Sequence, residues 1–138
     1  MTKDVLFALT KGALMPQAET LEISKSKNEL FIGIPKEVAF QENRVPLVPD
    51  AVALLVNNGH NVCMERGAGL AAHFSDHEYS EAGALIAESA KEVYKSDFII
   101  KIAPPTLEEI EYMHPRQTLL SALQLTVQPE DFLKKLIR

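Results

Sequence analysis

From residue 31 onward, apolar positions fall in short bursts of three to six, and each burst is followed by a stretch with helical spacing. Phe31-Ile32-Gly33-Ile34 reads as a buried strand. A polar loop runs from Pro35 to Pro49, and Val52, Leu54, Leu55 and Val56 then form a helical stripe that stops at Gly59. Asp50 is the expected N-cap of that helix and Gly59 its left-handed C-cap. The second strand spans roughly Asn61 to Glu65, and a third, short one Ala84 to Ala87. Asp97 to Ile102 is the clearest buried strand, and Thr118 to Leu123 is the fifth. Between them the pattern S/T-x-x-E occurs at Ser75–Glu78, Ser89–Glu92 and Thr106–Glu109, each predicting a capping box that opens a helix. These helices are expected to end at Gly83, near Lys95 and before Pro115. Gln128-Pro129-Glu130-Asp131 opens the last helix, with the proline expected in its first turn. Lys134, Lys135 and Arg138 fall toward its carboxyl end, where the helix dipole favours cations.

Five short apolar strands alternating with helices imply a parallel sheet covered on both faces, joined by right-handed crossovers. The expected fold class is α/β: a three-layer sandwich with a parallel sheet of about five strands, flavodoxin-like or Rossmann-like. In such sheets ligands bind beyond the carboxyl ends of the strands. The loop after the first strand carries Lys36, Glu37, Glu42 and Arg44 at that edge. Residues 1–30 break this rhythm, with Gly12, Pro16 and a polar tract from Ser24 to Asn28, and read as an N-terminal extension. A surface arm is one reading, and an arm at a subunit interface is the other.

The chain has 138 residues, enough for one domain, and its 46% apolar content suffices for a core. A net charge of -5 with no compensating basic cluster argues against nucleic acid as a partner. The single cysteine, Cys63, has no internal disulfide partner and sits in a strand, where a buried, inert thiol is expected. No apolar run approaches the length of a membrane span, and no secretory leader is evident. A cytoplasmic location is the expectation.

Arg44 is the foremost candidate, because a guanidinium at a strand's carboxyl edge can grip a carboxylate by two parallel hydrogen bonds. The alternative is an arginine paired with Glu37 or Glu42. Lys101 lies inside an apolar run, where an ammonium is costly unless it reaches a ligand or partner. Gly67-Ala68-Gly69-Leu70-Ala71-Ala72 loosely matches a dinucleotide fingerprint, but His73 and Phe74 separate it from the next helix. A plain glycine-rich loop is therefore expected, with no cofactor-binding residue in this chain. His60, His73, His77 and His114 show no metal-ligand spacing, so no metal is expected.

Gly33-Ile34-Pro35-Lys36-Glu37, Glu42, Arg44-Val45, Pro49, Val52, Leu55 and Gly59 together resemble the N-terminal signature of the alanine dehydrogenase and pyridine nucleotide transhydrogenase family. The resemblance runs from residue 31 to 138. It departs at Gln41, Pro46 and Val48, where the family has Asn, a small residue and Ser/Thr. The resemblance implies a substrate-side domain whose small-molecule carboxylate substrate is bound by Arg44, Lys101 and Gln124. NAD or NADP would be held mainly by a second domain that this chain lacks, so the chain alone is expected to be inactive. In alanine dehydrogenases the family's catalytic lysine and histidine would stand where this sequence has Ala103 and Gln124. Neither can relay a proton. The resemblance also implies a homo-oligomer.

Three functional readings follow. One is an oxidoreductase converting L-alanine and NAD to pyruvate, ammonia and NADH. Another is a transhydrogenase alpha-subunit-like domain, whose hydride transfer between nicotinamides needs no acid–base pair and which would work with a membrane subunit. The third is a saccharopine-dehydrogenase-like enzyme, suited by Arg44-Val45-Pro46-Leu47, or a non-catalytic carboxylate-binding module.

Overall fold

The computed structural model of the chain describes residues 29–137. The expected extension, apart from its last two residues, and Arg138 lie outside the described residues.

Five strands form one wholly parallel sheet: β1 (Phe31–Ile34), β2 (Asn61–Glu65), β3 (Leu85–Ala87), β4 (Phe98–Ile100) and β5 (Thr118–Leu120). Their spatial order is β3-β2-β1-β4-β5. This is the Rossmann-like order and not the flavodoxin-like one, and it reverses direction between β1 and β4. Strand alternation sends Ile32 and Ile34 to one face and Gly33 to the other. Helices α1 (Pro49–Asn57) and α2 (Asp76–Glu81) cover the first face, closing a core of Ile32, Ile34, Val52, Val62, Met64 and Tyr79. Helix α3 (Ala90–Val93) lies on the opposite face against Gly33. Helix α4 (Leu107–Tyr112) packs beside α3, and α5 (Glu130–Leu136) beside α4. Among the described residues no helix is long and apolar enough to cross a membrane.

Gly33 is required by this layering. A Cβ there would stand 2.7 Å from the Val93 carbonyl oxygen and 2.8 Å from Ile99 Cδ1. Gly59, at φ +90°, ends α1 in a Schellman arrangement: its N–H donates to the Val56 carbonyl, and that of His60 to the Leu55 carbonyl.

Several local expectations need correction. Asp50 is not the N-cap of α1. Val48 holds that place, and Pro49 starts the helix, since its fixed φ suits the first helical position and its missing N–H is no loss there. Asp50 instead places a carboxylate in the first turn. The capping boxes at Ser75 and Thr106 form with both reciprocal bonds. The one at Ser89 does not, because the Glu92 carboxylate reaches one residue further back and accepts from the Glu88 N–H. Pro129 is the N-cap of α5, not a residue of its first turn. Strands β4 and β5 stop short of Ile102 and Leu123. Pairing continues past β4, with the Lys101 N–H donating to Leu120 and the Ala122 N–H to Ile102. The amides of Ile102 and Ala103, however, turn away to a side chain, that of Glu37.

Candidate functional site

The reversal between β1 and β4 leaves a crevice beyond the strand ends, walled by the loop after β1 (residues 35–48) and the loop after β4 (residues 101–106). The two walls are joined by Glu37. Its side chain is 4% exposed. Oε1 accepts from the Ile102 N–H at 2.6 Å and Oε2 from the Ala103 N–H at 3.3 Å. The ammonium of Lys101 stands 3.7 Å from Glu37 Oε2.

Lys101 points into the domain. Its side chain is 1% exposed, and Nζ donates to both oxygens of Glu109, at 2.7 and 3.0 Å. Glu109 also accepts from the Thr106 N–H at 2.7 Å, so the carboxylate that caps α4 is the one that holds the lysine. The ammonium is thus satisfied within the protein, and no face of it opens on the crevice. Tyr94, also buried, places its hydroxyl beside this cluster with no hydrogen bond of ordinary geometry. Burial, and then the carboxylates of Glu109, Glu37 and Glu65, push its pKa far up.

Arg44 lies on the β1 loop with its side chain 73% exposed. Nε donates to Glu42 Oε1 at 2.8 Å and Nη2 to Glu42 Oε2 at 2.6 Å, a two-bond fork. The Arg44 backbone N–H adds a third bond to the same carboxylate, at 3.1 Å. These bonds lower the Glu42 pKa to about 2 and raise that of Arg44. A guanidinium has five N–H donors. The pairing with Glu42 therefore fixes the plane of Arg44 while leaving its Nη1 edge for a ligand.

Ala103 is buried, and its carbonyl accepts from the Ser121 hydroxyl at 2.8 Å. Gln124 is exposed on the loop after β5, in the left-handed region at φ 49°, where it caps a short 3₁₀ turn (Leu125–Val127). Hydrogen bonds join Glu37, Ala103 and Ser121, and Lys101 to Glu109, and the ion pair of Lys101 with Glu37 brings the two groups together. Arg44 and Gln124 stand at the same edge of the sheet but share no hydrogen bond with each other or with Lys101.

The sequence marks Glu37 only as a loop residue or an arginine partner and Glu109 only as the capping partner of Thr106, and it gives no role to Ser121. A carboxylate three residues past the end of a central strand was the available signal for Glu37. The other two act through contacts that no local pattern announces.

The glycine loop after β2 directs three N–H groups, those of Gly67, Ala68 and Leu70, into the protein. The Gly67 N–H donates to Asp76 Oδ1 at 2.8 Å, and the N–H groups of Ala68 and Leu70 to carbonyls of Glu65 and Gly67. Among the described residues no three His, Cys, Asp or Glu converge as they would around a metal ion. Cys63 is half-buried, and burial pushes its thiol pKa up. An open cavity of about 450 Å³ lies between α1 and α2, lined in part by Val48, Phe74, Asp50, Glu78 and Glu81. Its three carboxylates make it unsuited to an anionic ligand, and of the residues lining it only Val48, the last of the β1 loop, belongs to the crevice walls.

Comparison with known proteins bears on these features. The family described as "Alanine dehydrogenase/PNT, N-terminal domain" matches residues 33–138. Curated alanine dehydrogenases are similar. That of Bacillus subtilis (strain 168) is 40% identical over 101 residues, covering 73% of this chain and 27% of the relative. That of Staphylococcus saprophyticus is 43% identical over 96 residues, covering 70% and 26%. Among solved structures, an L-alanine dehydrogenase superposes with a TM-score of 0.74 at 37% identity, over 78% of this chain and 29% of that one. The transhydrogenase from Sinorhizobium meliloti superposes at 0.68 and 28% identity, over 76% and 31%. The chain thus spans about a quarter of the length of the curated relatives it matches. With the family matching residues 33–138 and the fold shared with a solved alanine dehydrogenase, the chain belongs to the alanine dehydrogenase/pyridine nucleotide transhydrogenase N-terminal domain family.

Proposed function

We propose that this chain is the substrate-side domain of a nicotinamide-dependent oxidoreductase of the alanine dehydrogenase kind, acting in the direction L-alanine and NAD to pyruvate, ammonia and NADH. The observation that carries the reading is Arg44, held in plane by Glu42 with one edge outward, at the switch point of a domain 40% identical to an alanine dehydrogenase.

In this reading the outward edge of Arg44 takes the substrate carboxylate. Glu42 acts as its orienter. Gln124, on the neighbouring loop, offers a neutral donor and acceptor to the rest of the substrate. Lys101 does not touch ligand in this geometry. It supports the wall of the crevice through Glu109 and Glu37. NAD or NADP, when bound, supplies the hydride acceptor, and in this reading it is held mainly by a part of the enzyme outside this chain. Ala103 and Gln124 carry no group that titrates near neutrality, so proton transfer during deamination does not fall to these two positions.

That same pair supports a second reading. Hydride transfer between two nicotinamides needs no acid–base pair on an amino-acid substrate, and a transhydrogenase is among the similar structures. The two readings separate in one assay on the intact protein. L-alanine-dependent NADH formation, lost in Arg44→Ala, is the expected result of the first. Absence of that activity, with hydride exchange between NADH and an NAD analogue, replaces it with the second.

A further inference from the structure

The residue that shapes the crevice is not among those that face a ligand. Glu37 stands 65 and 66 residues before the two amides it receives, and these are the successive N–H groups of Ile102 and Ala103. Two consecutive amides on one buried carboxylate form a small anion nest, here filled by the protein itself. The backbone that carries Glu37 is anchored in turn. Pro35 is fully buried, and the Lys36 N–H donates to Glu65 Oε2 at 2.7 Å. Beyond the nest the connection reaches the segment after β5, because the Ala103 carbonyl accepts from Ser121 and the Ala122 N–H donates to Ile102. A single line of bonds therefore crosses the top of the sheet from the end of β2 to the loop after β5. Its charge is matched locally, by Lys101 at 3.7 Å and by the attraction of Arg44.

We propose that Glu37 is a positioning residue, whose carboxylate clamps the loop after β4 to the loop after β1 and so sets the spacing between Arg44 and the segments bearing Ala103 and Gln124. This rests on the carboxylate-binding reading of the crevice and adds to it the group that holds the crevice in register. It also accounts for the early end of β4. The amides that would have continued the sheet are diverted to hold the site.

The test uses Glu37→Gln in the intact chain, which keeps the side chain's shape but removes the charge and one of the two acceptor oxygens. Two quantities are read by NMR: amide hydrogen exchange at Ile102 and Ala103, and the affinity for pyruvate. Protection of those two amides is expected to fall about tenfold or more, with pyruvate binding weakened by a similar factor. Val62→Ala, which thins the core far from the crevice, is the control. It lowers the melting temperature and leaves the affinity for pyruvate unchanged. Unchanged protection at Ile102 and Ala103 in Glu37→Gln overturns the clamp. Lost protection with unchanged pyruvate affinity overturns its role in positioning. If the wild-type chain takes up no pyruvate, the carboxylate reading fails, and the clamp then stands or falls on the two exchange rates alone.

Discussion

Replacing Lys101 by methionine is the most demanding perturbation of the ion cluster beneath the crevice. The side chains involved are nearly dry: Lys101 is 1% exposed, Glu37 4% and Glu109 7%. Methionine fills most of the volume and removes only the ammonium. Two carboxylates then remain in the interior with one cation fewer, and Glu109 loses two hydrogen bonds. Breaking a buried pair from one side costs about 3–5 kcal/mol, because the charge left behind is uncompensated. A domain of this size has a total stability on the order of 5–15 kcal/mol. The substitution thus removes from about a fifth to all of it. At about 4–8 °C of melting temperature per kcal/mol, the drop is about 12–40 °C. Urea unfolding measures the free energy and thermal unfolding the melting temperature, both followed by far-UV circular dichroism, which suits a chain without tryptophan. The exposed pair Lys134–Glu130 is the contrast. Lys134→Met changes stability by no more than about 0.5 kcal/mol. A cost below about 1 kcal/mol for Lys101→Met would refute the reasoning, since it would mean that water reaches the cluster in solution.

Other substitutions probe separate links. Arg44→Ala raises the Glu42 titration from about 2 part of the way toward the ordinary 4.5, since the backbone N–H at position 44 still donates to the carboxylate, and carboxyl-carbon NMR follows it. Because the folded-state pKa is depressed, the pair contributes stability above the ordinary value and loses it as pH falls toward about 2, so the variant keeps less of that acid-side dependence. Gly33→Ala forces a methyl group against the Val93 carbonyl oxygen at 2.7 Å, and is expected to destabilise by about 1–3 kcal/mol in thermal unfolding. Thr106→Ala removes the cap of α4 and costs about 1 kcal/mol in the same measurement, with Lys101 still paired to Glu109.

The strands were legible because apolar runs bounded by Gly, Pro and polar residues leave little choice, and β1 and β2 match their expected bounds to the residue. Two of three capping boxes were legible for the same reason, since their partners lie three residues apart. The third failed because another donor, the Glu88 amide, competes for Glu92. The strand order was not legible. It sets β4 beside β1, although β2 and β3 intervene in sequence. Everything that depends on that adjacency was therefore hidden, above all the hold of Glu37 on Ile102 and Ala103. For Lys101 the cost of a lysine in an apolar run signalled a partner. That partner lies eight residues ahead on α4. Arg44 was expected to meet either a ligand or an acidic neighbour, and the structure shows the acidic neighbour, in a two-bond fork with Glu42.

The central claim is that the edge of Arg44 left open by Glu42 receives a small carboxylate at the β1–β4 switch point. Titration of pyruvate into the isotopically labelled chain tests it most directly, with the Arg44 Nε–H and the amides of Glu37, Ala103 and Gln124 as reporters. The account predicts saturable shifts at these positions that vanish in Arg44→Ala while the fold is retained. Saturable shifts that persist in Arg44→Ala, or none at these positions in the wild type, would contradict it.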